Sequence, residues 1–216
     1  MQHFTRKKNQ IIIGIPSKGR LKKHVLDFLG EKNYVIPAHM GRRLQTRLNN
    51  DSRFRVVFLH PKDIPLMIEQ GAIDTGFSGL DLIYETRATV RPIIKIGRGH
   101  VRMALAVPAD AAVNHPFHLM GKTVGTAFPN LTREYFDRLK VDVSIQEIRG
   151  ASEGMPYLGV VDAIMDVVET GKSLTANHLK IIDDHIFHSE CVLMVGKPEL
   201  QKNYELLNQF LRSIYV

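Results

Sequence analysis

With 216 residues, 44% of them hydrophobic, the chain is long enough for one large or two small domains with a substantial core. The single Cys191 excludes an internal disulfide, and no apolar stretch approaches the ~20 residues of a membrane span. The net charge of +7 sits in small basic groups along a chain without Trp or interleaved aromatics, which favours polyanionic small substrates over nucleic acid.

The apolar run after Met-Gln-His-Phe-Thr-Arg-Lys-Lys, Ile11 to Ile15, is only a strand long and does not read as a signal peptide, so a soluble cytoplasmic protein with no membrane partner is expected. Gln10–Ile15 reads as a strand and Leu21–Leu29 as a helix. Pro16-Ser-Lys-Gly-Arg-Leu21 lies between them, with Lys18 and Arg20 placed to meet phosphates and Gly19 allowing close backbone approach. Arg55–Leu59 is a strand, Asp63–Gln70 a helix with Asp63 as its cap, Thr75–Phe77 a short strand and Gly79–Glu85 a helix. Glycines at 71, 76 and 79 mark turns; Asp74 and Asp81 read as turn or cap residues, or as groups facing a base or ribose.

Ile93–Ile96 and Met103–Val107 are expected strands around Gly97-Arg98-Gly99-His100, where Arg98 and Arg102 are candidate phosphate ligands. Lys122–Thr126 is a strand, Leu131–Leu139 a helix, Val143–Ile148 a strand and Ser152–Leu158 a short helix. Glu153 then reads either as a first-turn acid favoured by the helix dipole or as a carboxylate facing a cleft. Lys180–Ile182 and Cys191–Val195 are strands, and Glu199–Ile214 is an amphipathic helix whose face is Leu200, Tyr204, Leu207, Phe210 and Leu211. The βαβα rhythm predicts an α/β fold of mixed, mostly parallel sheets, with loops 16–20, 76–81 and 169–173 at the carboxyl ends of strands. Crossings near 95–108 and 178–192 divide it into a first lobe, 1–98 plus 180–216, and a second lobe, 99–179, as a two-lobed clamp around a cleft.

Residues 162–177 carry the most chemistry. Ala163–Val168 is an apolar strand holding one carboxylate, Asp166, and Glu169-Thr170-Gly171-Lys172-Ser173 is a polar turn. Leu174 opens a helix with Ser173 as its cap. A strand, a Gly turn and a helix N-terminus make an anion site, with Thr170 and Ser173 as added donors. The acidic residues before the turn suit ribose hydroxyls or a bound Mg²⁺. Phosphate donors beside carboxylate acceptors fit a phosphorylated ribose. Gly171-Lys172-Ser173 is not a P-loop, since the Gly that motif requires upstream is missing.

Ser17-Lys-Gly-Arg-Leu21, Arg42-Arg43-Leu44, Lys62-Asp-Ile-Pro65, Gly71 through Asp81, Gly97-x-Gly99 and Gly121-Lys-x-Val-x-Thr126 stand in this order along the chain. Pro129-Asn130-Leu131-Thr132, Gly150-x-x-Glu153 and Asp162 to Asn177 follow them. Together these segments resemble the ATP phosphoribosyltransferase family. The resemblance implies a clamp similar to type II periplasmic binding proteins, and transfer of the phosphoribosyl group of 5-phosphoribosyl 1-diphosphate to N1 of ATP with release of pyrophosphate. It implies Arg20, Glu153 and Asp166 as catalytic residues. It places the phosphoribosyl diphosphate on Asp166, Glu169, Thr170, Gly171, Lys172, Ser173 and Leu174, and ATP on Lys18, Gly19, Arg20, Arg43, Asp63, Ser78, Asp81 and Arg98. Mg²⁺ is expected to travel with the substrate, with Asp166 as its one candidate protein ligand.

The resemblance is to the short form, which implies a histidyl-tRNA-synthetase-like regulatory subunit, a dimer alone and a hetero-octamer with that partner. Histidine is then expected to act only through the partner. Two positions depart from the family pattern: His100 stands near the expected hinge, and His178 follows Asn177 where Gly is usual. A cytoplasmic solute-binding module of the same fold, or a nucleobase phosphoribosyltransferase, are the alternative readings.

Overall fold

The structure, a computed structural model, describes residues 9–36, 44–48, 51–197 and 203–215. They form two units, 1–99 with 190–216, and 100–189. The return crossing thus falls at 189/190, not at the expected 179/180. The reason is that the strand after residue 178 is eleven residues long and pairs at both ends, across a bulge, with a strand of the second unit.

The first unit contains β1 (Ile11–Pro16), α1 (Gly19–Glu31), β2 (Gln45–Arg47), β3 (Phe54–Leu59), α2 (Asp63–Glu69), β4 (Thr75–Gly79), α3 (Leu80–Thr86) and β5 (Arg91–Lys95). Its sheet order is β2-β3-β1-β4-β11-β5, where β11 is Cys191–Val195. β1 pairs in parallel with β3 and β4, while β11 runs antiparallel between β4 and β5. β1 is apolar throughout because both its faces are covered, as central parallel strands require. Ile11, Ile13 and Ile15 meet Val25, Phe28 and Leu29 of α1 and the last helix, α6 (Tyr204–Tyr215). Ile12 on the other face meets Ile64 and Ile68 of α2 and Ile83 of α3. β3 alternates, with Phe54, Val56 and Phe58 inward.

α6 belongs to the first unit, as its composition suggests, but its buried face is Leu206, Leu207, Phe210 and Ile214. Leu211 only flanks that face and Tyr204 is exposed, while Leu200 lies outside the described residues.

The second unit contains β6 (Val101–Pro108), a 3-10 turn at Pro116–Leu119, β7 (Thr123–Thr126), α4 (Pro129–Leu139), β8 (Ser144–Glu147), β9 (Ala163–Val168), α5 (Lys172–Ala176) and β10 (Leu179–Ser189). Its sheet order is β10-β6-β9-β7-β8. β7 pairs in parallel with β8 and β9; β6 is antiparallel to both β9 and β10. Both sheets are therefore mixed, with their parallel strands grouped and the chain crossings adding antiparallel ones. Ala104 and Ala106 of β6, Ile164 and Val168 of β9, Leu174 of α5 and Ile148 share one cluster.

Candidate functional site

Each unit gathers the loops that follow its parallel strands at one sheet edge. In the first unit these are the turns after Pro16, Leu59 and Gly79. The Ser17 N–H donates to the Leu59 carbonyl at 2.7 Å, which ties the first two turns together. Lys18 is the extended cap residue of α1 and makes no side-chain cap bond; Gly19 follows at φ +75°. Lys18, Gly19 and Arg20 are exposed, and the first turn of α1 holds no acidic residue. Its amide groups and two cations therefore point positive potential outward from the edge. Lys22 Nζ is drawn aside, 5.0 Å from the centre of the Phe58 ring.

The other residues expected on this side fare differently. Asp63 is the first helical residue of α2, exposed, and the cap position belongs to Lys62. Ser78 is fully buried, and its hydroxyl donates to the Pro61 carbonyl at 2.8 Å, so it fastens the turn before α2 instead of reaching a ligand. Asp81 is buried in the first turn of α3, and a Cβ on Gly79 would collide with its carboxylate. Asp74 is also structural: its carboxylate accepts the Ile12 N–H at 2.8 Å. The Arg98 guanidinium engages Glu31 of α1, and Arg43 lies outside the described residues.

In the second unit the loops after Thr126, Glu147 and Val168 leave one edge. β9 forms over Ala163–Val168 as its composition dictates, with Asp166 half-buried on the face of Ile164 and Val168. Ser152 Oγ donates to Asp166 Oδ2 at 2.8 Å, and the Val167 N–H donates to Oδ1 at 2.7 Å. The carboxylate is thereby held in one orientation. Ser152 is 1% exposed, and no local pattern in the sequence pairs it with a residue fourteen positions on.

Glu169 and Thr170 are exposed at the strand end, and Gly171 takes φ +78°, the left-handed region. Gly171, not Ser173, is the cap position of α5, and Ser173 is exposed in the first turn beside Lys172. Thr170 Oγ1 accepts the Lys172 N–H at 3.4 Å. Leu174 is buried and anchors the short helix to the sheet. Asn177 Nδ2 donates to the Ser173 carbonyl, and His178 then closes the helix at φ +54°, where a Gly would be at ease. The expected helix at 152–158 is absent. Those residues form turns, which removes the first-turn reading of Glu153 and leaves its half-exposed carboxylate one residue beyond Ser152. Arg102 pairs with Asp184 and reaches the Glu169 carbonyl, so it too is engaged by the protein itself.

The model of the ATP phosphoribosyltransferase family matches residues 60–215, well over half of the sequence. The chain belongs to the ATP phosphoribosyltransferase family. The ATP phosphoribosyltransferase of Methanopyrus kandleri is 40% identical over 174 residues, 81% of this chain and 61% of that protein, so the chain spans about three fifths of that relative's length. The solved ATP phosphoribosyl transferase (HisG:HisZ) complex from Thermotoga maritima holds a chain 26% identical, with a TM-score of 0.80 over 95% of this chain and 97% of that one. A substrate-binding protein of an amino acid ABC transporter matches 95% of this chain and 91% of its own at a TM-score of 0.60 and 15% identity, a likeness of fold alone. The family match takes in the 169–174 turn, Asp166 and Glu153; Lys18, Gly19 and Arg20 lie before it.

Proposed function

We propose that this chain transfers the 5-phosphoribosyl group of 5-phosphoribosyl 1-diphosphate to N1 of ATP, releasing pyrophosphate and forming 1-(5-phosphoribosyl)-ATP, the first step of histidine biosynthesis. The observation that carries the reading is the family's match across a left-handed Gly171 turn at a carboxyl edge, with a fixed carboxylate beside it. The phosphoribosyl group is assigned to Asp166 and residues 169–174, with Glu153 as a further carboxylate of the same edge. ATP is assigned to the first unit, at Lys18, Gly19 and Arg20. The 15% likeness to a binding protein supports no non-catalytic reading.

The chemistry asks little of a base. Adenine N1 is a neutral nucleophile; the N1–C1′ bond forms with inversion as the bond from C1′ to pyrophosphate breaks. The demand is to position two polyanions and to stabilise developing charge. Asp166, oriented by Ser152 and the Val167 amide, stabilises positive charge growing on the ribose. The turn's N–H groups and Lys172 hold phosphate oxygens. Mg²⁺ suits this edge as an ion carried by the substrate, because it binds through phosphate oxygens and one or two carboxylates while keeping several waters. Asp166 would be the candidate protein ligand for such an ion, which would supply neutralisation of the pyrophosphate charge.

The near-complete match to a chain of the HisG:HisZ complex supports a partner of the HisZ kind. The partner's resemblance to histidyl-tRNA synthetase, the dimer alone and the hetero-octamer with that partner are proposed from the family resemblance. The test is to incubate the chain with ATP, 5-phosphoribosyl 1-diphosphate and Mg²⁺, with and without the partner, and to quantify both products by mass spectrometry. Equal amounts of phosphoribosyl-ATP and pyrophosphate are expected, with histidine inhibiting only when the partner is present. No product in either arm sinks the assignment, and histidine inhibition of the chain alone sinks the partner reading.

A second expectation concerns Arg20. Arg20→Ala weakens ATP binding by about 1.5–3 kcal/mol, the worth of a charge-assisted bond, and leaves adenosine binding nearly unchanged. Calorimetric titration with both ligands reads the difference; equal losses would show that Arg20 does not meet phosphate.

A further inference from the structure

We infer that Arg102, fixed by Asp184, is the positioning residue that sets the phosphoribosyl-binding turn, an inference that rests on the activity proposed above. Arg102 stands directly opposite Val168, the last residue of β9, in the β6–β9 register. Its Nη1 donates to the carbonyl of the next residue, Glu169, at 3.3 Å, and its Nε donates to Asp184 Oδ2 at 2.8 Å. One planar guanidinium thus joins the first residue of the turn to the neighbouring strand on the far side of β6. A guanidinium fork can serve two partners at fixed angles, which a lysine ammonium does without angular definition.

The strand that supplies Asp184 is built for this contact. From Asp183 to Phe187, β10 advances four residues while β6, from Leu105 to Met103, advances two. Bulges of this kind re-aim side chains near functional sites. Here the two acids at the start of the bulge are pinned by different elements: Tyr135 Oη donates to Asp183 Oδ2 at 2.6 Å, and Asp184 takes Arg102. Ala104 and Ala106 lie two and four residues on from Arg102 along β6, and both are buried in the cluster that includes Val168 and Leu174. Small side chains beside Arg102 leave its stem room to lie along the sheet. Both charges are about 30% exposed, so the pair is neither a screened surface pair nor a sealed one.

Arg102 is therefore bound on both sides by the protein, and it acts on substrate through the Glu169 carbonyl. The alternative, a direct phosphate contact, makes an opposite prediction for its partner. If Asp184 restrained a ligand arginine, Asp184→Asn would free it and leave binding equal or tighter. If Asp184 orients Arg102 beneath the turn, Asp184→Asn loosens the turn and weakens binding.

The experiment is calorimetric titration of the whole chain with 5-phosphoribosyl 1-diphosphate, and separately with ATP, for wild type, Arg102→Gln, Arg102→Lys and Asp184→Asn, with melting temperatures alongside. A loss of about tenfold in phosphoribosyl diphosphate affinity is expected for Arg102→Gln and several-fold for the other two, with ATP affinity within about twofold. Arg102→Lys keeps a charge for Asp184 and so keeps the melting temperature, which separates positioning from folding. Unchanged or tighter binding in Asp184→Asn, or equal losses for both ligands, overturns the inference. Wild type that binds ATP but no phosphoribosyl diphosphate overturns the functional assignment itself, a result distinguishable from either.

Discussion

Gly171→Val abolishes measurable binding of 5-phosphoribosyl 1-diphosphate, and Gly171→Asn retains it. The reason is conformational, not steric. Gly171 sits at φ +78°, and a Cβ added there finds its nearest neighbours, Ile181 and Val168, no closer than 3.9 Å. Space is available, but an L-residue in that region is strained by about 1–2 kcal/mol, and a β-branched one by more. Asn tolerates left-handed backbone far better. The strained valine would relax by rotating the peptide planes on either side, which carry the residue 171 and Lys172 N–H groups at the start of α5. α5 has only five residues with Leu174 as its buried anchor, and the Arg102 bond reaches the turn at Glu169, two residues before Gly171, so the backbone at Gly171 itself is lightly held. Titration of the two variants decides the matter. Equal affinity in valine and wild type would put the phosphate elsewhere, and equal loss in valine and asparagine would show that crowding, not φ, is at work.

The strand leading into this turn is where sequence and structure agree most closely. Ala163–Val168 needed no tertiary information: a short apolar run before a Gly turn has few other solutions. Gln10–Ile15 and Arg55–Leu59 were likewise legible as strands from their apolar runs. Other features depend on contacts far apart in sequence. β11 enters the first sheet between β4 and β5 from far along the chain, so its antiparallel sense left no local trace. β10 read as three residues because Asp183, Asp184, His185 and His188 break its apolar pattern; they are tolerated because the strand is an edge with a bulge. A short helix is expected over 152–158, yet the segment holds Gly154 and Pro156 with Gly159 just after it, and turns prevail.

Among the candidate ligands the division is similar. Lys18, Gly19 and Arg20 stand exposed at a helix start, a placement that follows from chain order. Ser78 and Asp74 looked equally polar and equally close to turns. What sets them apart is a partner on a neighbouring segment: the Pro61 carbonyl, in the turn before α2, for one and the Ile12 amide of β1 for the other. A sequence shows that a hydroxyl is present and not which carbonyl takes its proton.

The interior of the first unit offers the second large effect. Gly14 of β1 and Gly76 of β4 are register partners, and α2 lies over them. A Cβ on Gly76 would fall 2.6 Å from Ile64 Cγ2 and 2.9 Å from the Gly14 carbonyl oxygen. A Cβ on Gly14 would fall 2.6 Å from Ile73 Cδ1, the far end of a flexible side chain. The two alanine variants should therefore differ. In Gly14→Ala a rotamer change at Ile73 absorbs much of the clash, at about 1 kcal/mol. In Gly76→Ala the obstacle includes backbone that cannot retreat without breaking the β1–β4 ladder, so α2 must lift. Ile64 and Ile68, both essentially fully buried, then lose contact, and a destabilisation of about 3 kcal/mol is expected. At this size that lowers the melting temperature by roughly 6–12 °C. The lift also strains the Ser78–Pro61 bond, because Ser78 follows Gly76 by two residues on the same strand face. ATP affinity should fall with it, while affinity for 5-phosphoribosyl 1-diphosphate, assigned to the other unit, stays near wild type. Calorimetric melting and paired titrations test both halves: if the two glycine variants melt together, α2 does not rest on Gly76 as the geometry requires.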